Sequence, residues 1–178
     1  MTTVTRTEIA DGDRGVAQTC AAMRDLICAS IATPIVREAV SALVIGLTPG
    51  DYIGQACNVR DWIAQSTQFL RDPAGVELLH SPEWLLRRIF RYGCAQVDCD
   101  DVAILAGAMM GAIGWSVALV TVAFLDSGTY SHVYCSASPP VTFLDSTGDQ
   151  VWIEFDTTRP MQEIPVNAIS RSQSFPVL

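Results

Sequence analysis

The sequence predicts an α+β fold: N-terminal helices, then a central buried helix carrying a cysteine, packed against an antiparallel sheet. Three observations predict it. Apolar residues recur at helical spacing through the first half of the chain. One stretch of 24 residues, Val102 to Leu125, carries no charge, and the segments after it alternate as strands do. With 178 residues, 49% hydrophobic and 17% charged, the chain has material for one well-buried core.

Val16, Cys20, Met23 and Ile27 share one helical face within residues 15–31. Thr33-Pro34 reads as an N-cap followed by proline at the first helical position, opening a helix to about Leu47. Its apolar face runs through Ile35, Val36, Ala39, Val40, Leu43 and Val44. That face is expected to pack on its own domain or, as the sharper alternative, on other copies or other proteins. T-P-G-D (48–51) is a turn before a helix to Leu70 with Ile53, Cys57 and Trp62 on one side. D-P-A-G (72–75) is a loop, and Ser81-Pro82 starts a helix that Gly93 stops.

The uncharged run is long enough for a membrane span and contains a G-x-x-x-G pair, Gly107 and Gly111. Gly114-Trp115 interrupts it, its second half is rich in β-branched residues, and no basic cluster flanks it. The favoured reading is a buried helix, a turn and a central strand, with a membrane span as the alternative. Strands are expected at 116–125, 129–136, 140–144 and 150–156, with S-T-G-D (146–149) as a hairpin turn, and the tail after Pro160 as an extended arm. The domain reading is a helical extension over 1–60, a core over 61–160 and a C-terminal arm over 161–178.

The net charge of −8 argues against nucleic acid as a partner, since phosphate binding needs a basic face. The N-terminus lacks the layout of a signal peptide, so the six cysteines are expected to be reduced. All eleven basic residues are arginine, so isopeptide cross-links between copies of this chain are chemically closed.

The chemistry centres on D-C-D-D (98–101). Asp98 is a good N-cap, and Asp101 is expected to reach back to the cap's own N–H as a structural acid. Cys99 then stands in the first helical turn, where backbone N–H groups favour a thiolate, although the aspartates oppose it. It needs a cation beside it. Of the two histidines, His80 reads as a loop or surface residue, while His132 lies in an alternating strand. Asp156 ends a later strand and could hold the His132 imidazole in one tautomer. Cysteine on a helix start, then histidine and aspartate on strands, is the layout of papain-like hydrolases.

These segments, D-C-D-D-V-A-I-L-A-G-A-M-M-G-A-I-G-W, S-H-V-Y and W-I-E-F-D-T-T, resemble the transglutaminase-like superfamily. D-P-A-G-V-E-L-L-H-S-P-E-W-L-L (72–86) is similar to the version found among structural genes of tailed bacteriophages. The likeness covers roughly residues 60–160. It implies a papain-like core with Cys99 as nucleophile, His132 as general base and acid, and Asp156 as its orienter, with no cofactor and no metal. It also implies the buried-helix reading of the uncharged run, with no membrane partner. It further implies a protein or peptide substrate, and a location in a virion or host cytoplasm. Other virion proteins or copies of the chain would be its partners. The family carries glycine two residues before the cysteine, where this chain has Val97; Gln96 is a candidate oxyanion donor.

The expectation is a cysteine peptidase or amidase that hydrolyses rather than cross-links. The alternative is a non-catalytic virion protein using the same fold as a packing module. A zinc site built from Cys94, Cys99, His132 and Cys135 is a rival chemistry that the spacing disfavours.

Overall fold

The computed structural model describes residues 5–73, 76–125, 129–158 and 169–178. Its axis is α5 (Cys99–Ala112), in which every residue from Asp100 to Met110 is buried. A helix apolar on all sides must be covered on all sides. The cover comes from α1 (Gly12–Ser30), α2 (Pro34–Val44), α3 (Tyr52–Ser66) and α4 (Pro82–Tyr92), and from a four-stranded sheet. One hydrophobic core runs from Cys20 on α1 to Phe155 on the sheet, so the predicted N-terminal extension contributes directly to it. Met23 and Ile27 of α1 are fully buried, and on α2 so are Val36 and Val40. The apolar face of α2 is thus turned onto its own chain.

The local signals act where the sequence places them at several points. Ser81 accepts from Trp84 N to open α4, and Gly93 closes it in the left-handed region at φ 80°. Asp98 accepts from Asp101 N to open α5. Gly114, at φ 87°, turns the chain from α5 into β3 (Ser116–Phe124). The uncharged run is therefore helix, turn and strand. No single helix among the described residues is long and apolar enough to cross a membrane.

The G-x-x-x-G pair is a packing notch. A Cβ at Gly107 would meet Ile27 Cδ1 at 2.8 Å and Val117 Cγ1 at 3.3 Å, so α1 and β3 both close onto that glycine. Gly107→Val is expected to cost about 1–3 kcal/mol, the usual range for overpacking a tight core. Equilibrium urea unfolding measures it; an unchanged midpoint would show that α1 does not seat there.

The sheet runs in the order β5-β4-β3-β6, antiparallel throughout. Its members beside β3 are β4 (Tyr130–Ser138), β5 (Ile153–Phe155) and β6 (Ile169–Pro176). β6 corrects the reading of the tail as an arm: its described part is an edge strand on β3, and residues 159–168 lie outside the described residues. Residues 140–144 are not a strand. Only Leu144 bridges to Gln150, because Pro139 and Pro140 have no N–H to offer a ladder.

Two helices end early. α2 stops at Val44, before the predicted Leu47, and α3 stops at Ser66, before Leu70. The face of α3 that turns inward is Ala56, Val59 and Ile63, while Ile53 is half exposed. Beyond it β1 (Thr67–Phe69) pairs in parallel with β2 (Ala95–Val97). The β1–β2 ribbon leads directly into Asp98 and Cys99.

Candidate functional site

Each candidate side chain is held by a different element. Cys99 is the first residue of α5, fixed by the β2 strand before it and the Asp98 cap. His132 lies on β4 opposite Val122, immediately beside a register shift between Val122 and Ala123. Ser131 is the extra residue there, and such a bulge re-aims the side chains next to it. Asp156 follows β5. Extending the Cys135–Phe155 pairing by one residue puts it level with Tyr134, one same-face step from His132.

The result is a short contact, His132 Nε2 to Asp156 Oδ2 at 2.5 Å, between side chains that are 4% and 2% exposed. The other carboxylate oxygen, Oδ1, accepts from Thr158 N at 3.1 Å and Thr158 Oγ1 at 2.9 Å. With Nε2 given to Asp156, Nδ1 is the ring nitrogen left for chemistry. Thr158 was not singled out by sequence reasoning. The D-T-T triplet held the signal, because an aspartate commonly accepts from the backbone two residues on.

Cys99, His132 and Thr158 line one cavity of about 720 Å³ beside the first turn of α1. Carboxylates dominate its charge: Asp11, Asp72, Glu77, Asp98 and Asp100 line it along with Arg71. Gln96 is exposed on β2 and is not among the lining residues of this cavity. Alternation explains this, since Ala95 and Val97 take the buried face of that strand.

The Cys99 thiol is half-buried and donates to Asp100 Oδ1 at 3.6 Å. Burial pushes its pKa up, and Asp100 pushes the same way, while the Val133 N–H directed at the sulfur pulls it back. Burial and Asp100 therefore oppose the thiolate that the helix start favours at Cys99. Burial, and then contact with Glu77, hold the Asp100 carboxyl well above the usual carboxylate range. Burial, with Asp101 and Asp72 nearby, raises Asp98 to about 6.

Asp101 does not reach back to the cap. Its carboxylate is taken by His80, whose backbone N–H donates to Oδ1 at 2.9 Å and whose Nδ1 lies 2.8 Å from Oδ2. A cation-capable partner offering two contacts outcompetes one backbone N–H. His80 is accordingly half-buried rather than a surface residue, and its ring stacks on Trp84 at 4.1 Å.

All six cysteines are unpaired. Cys135 is buried within the sheet, facing Leu119 and Phe155 in register. Among the described residues the one group with metal-ligating geometry is the carboxylate trio Asp72, Glu77 and Asp98. The Cys94–Cys99–His132–Cys135 set is not assembled.

Comparison with family models, with curated proteins and with solved structures finds no match.

Proposed function

We propose that this chain is a cysteine hydrolase or acyl-transfer domain of the transglutaminase-like, papain-like type, acting on a peptide or amide bond. The observation that carries the reading is the buried His132–Asp156 pair opening onto the same cavity as a cysteine at a helix start. A thiol whose ionisation burial opposes needs a base at the moment of attack, and this pair can serve as one.

His132 Nδ1 takes the Sγ proton as sulfur bonds to the substrate carbonyl carbon. The tetrahedral adduct collapses when the imidazolium returns that proton to the leaving amine, breaking the C–N bond and leaving an acyl-cysteine. Water then attacks with His132 again as base, releasing a carboxylic acid and the free thiol. Asp156 balances the imidazolium charge that forms at each step. Because the chain has no lysine, hydrolysis is favoured over cross-linking unless a partner brings the amine.

Acylation by p-nitrophenyl acetate tests the reading without a known substrate. A burst of nitrophenolate approaching one per chain is expected, with the acetyl group mapped to Cys99 and lost in Cys99→Ala. Acetylation confined to the exposed Cys28 would defeat it. One observation favours the second reading, a virion packing module without chemistry: the thiol is turned toward Asp100. That reading predicts no burst. The likeness of residues 72–86 to phage structural genes supports placing the protein in a phage particle or its assembly. Mass spectrometry of purified particles tests that placement by looking for a fixed copy number.

A further inference from the structure

We propose that His80 is a positioning residue for the chemistry at Cys99: through buried Asp101 it docks residues 76–81, of which Val76 and Glu77 line the cleft, onto the first turn of α5. The proposal rests on the reading of Cys99 as nucleophile. Asp101 lies two residues after Cys99 and its side chain is 3% exposed, against 29% for His80. Both of its oxygens are engaged by His80, one by the backbone N–H and one by the ring, so the contact fixes main chain and side chain together. Trp84 of α4 stacks under the imidazole with its plane 14° away, and Arg88 sits over Trp84 at 4.8 Å, so the ring has one seat.

The docked segment reaches the nucleophile through its own residues. Val76 and Glu77 line the cleft, and Glu77 is in hydrogen-bond contact with Asp100, the acceptor of the Cys99 thiol. Losing the His80 contact would free Glu77 from Asp100 and loosen the cleft wall beside the Cys99 sulfur, whose side-chain hydrogen-bond partner is Asp100.

The contact is also sensitive to pH. The groups facing His80 are Asp101 and Asp98 at the start of α5, Asp72 in the preceding loop, and Arg88 across Trp84. The Asp101 hydrogen bond raises the imidazole above its ordinary value against the effect of burial, and Asp72 and Asp98 add to the rise. A raised value means docking is strongest below the imidazole's ordinary value and weakens as pH climbs through the raised one. Neutral His80 can still donate from Nδ1, so the contact loses its charge assistance without breaking.

Two measurements on wild type, His80→Ala and His80→Asn test this: amide hydrogen exchange of residues 76–81, and Cys99 acylation by p-nitrophenyl acetate between pH 6 and 9. His80→Ala is expected to exchange Leu78 to His80 about tenfold faster or more, and to acylate about tenfold slower, as loss of a charge-assisted hydrogen bond implies. His80→Asn keeps a donor toward Asp101. It should recover protection and most of the rate while losing the fall in rate that His80 titration gives wild type. His80→Ala with wild-type rate and pH profile overturns the proposal, as does unchanged protection. A wild-type chain in which Cys99 never acylates overturns it together with the nucleophile reading. Hydrogen exchange tells that outcome from a failure of docking alone, because it reads the His80–Asp101 contact without any chemistry.

Discussion

Asp156→Asn is expected to slow Cys99 acylation by about 10³–10⁴-fold while leaving the fold in place, on the scale seen when the same change is made in a Ser-His-Asp arrangement. The reason is a forced orientation. Thr158 donates twice to Asp156 Oδ1, so an asparagine must keep its carbonyl oxygen there. Its NH₂ group then faces His132 Nε2, where the carboxylate now accepts at 2.5 Å. An incoming donor requires Nε2 to be the unprotonated nitrogen and moves the ring proton to Nδ1. Nδ1 is the atom that must take the thiol proton, so the base is lost although no atom has moved far. The imidazolium also loses its counter-charge. Pre-steady-state acylation measures the rate, and circular dichroism checks that the variant folds. A variant within tenfold of wild type would mean that His132 is not oriented by Asp156, and the hydrolase reading would fall with it.

The positions of Cys99, His132 and Asp156 were legible in sequence because each sits on or beside an element with a local signature. Asp98 caps, the apolar run names the helix, and alternation names the strand of His132. What the sequence did not disclose are the contacts made between distant segments. Asp101 has an excellent local role as an N3 acid, and no local rule could foresee that His80, 21 residues earlier, would take both of its oxygens. β1 and β2 are three residues each, too short for period two to register, and they pair in parallel across the whole of α4. β6 reads as polar because five consecutive residues of it face solvent, and its place on the sheet comes from backbone pairing with β3. The electrostatics of Cys99 were only partly legible: the helix start favours a thiolate, while burial, a tertiary fact, pushes the thiol's pKa up together with Asp100.

Trp115→Ala is expected to be the most damaging single truncation in the core, at about 3–5 kcal/mol, the range for deleting a buried tryptophan or phenylalanine. A domain of this kind has only about 5–15 kcal/mol in all. Trp115 is 2% exposed at the turn where α5 gives way to β3, and its backbone N–H closes onto Met110 O. Its indole Nε1 donates to Gln55 Oε1 at 3.0 Å, and its ring meets the edge of Tyr52 at 6.1 Å, both on α3. One side chain therefore ties three elements at a point where Gly114 leaves no side chain to help. Trp115→Phe should separate the two contributions. It keeps most of the ring packing but strands the Gln55 carbonyl, at a cost of about 1–3 kcal/mol. Urea unfolding of both variants measures the pair, and a loss below about 1 kcal/mol for alanine would mean that α3 does not lean on this turn. The effect on chemistry should be opposite to that of Asp156→Asn. α5 has 14 residues, so Trp115 lies about 20 Å along the helix from Cys99. The folded fraction of Trp115→Ala should then acylate at close to the wild-type rate, whereas Asp156→Asn leaves the fold and removes the base.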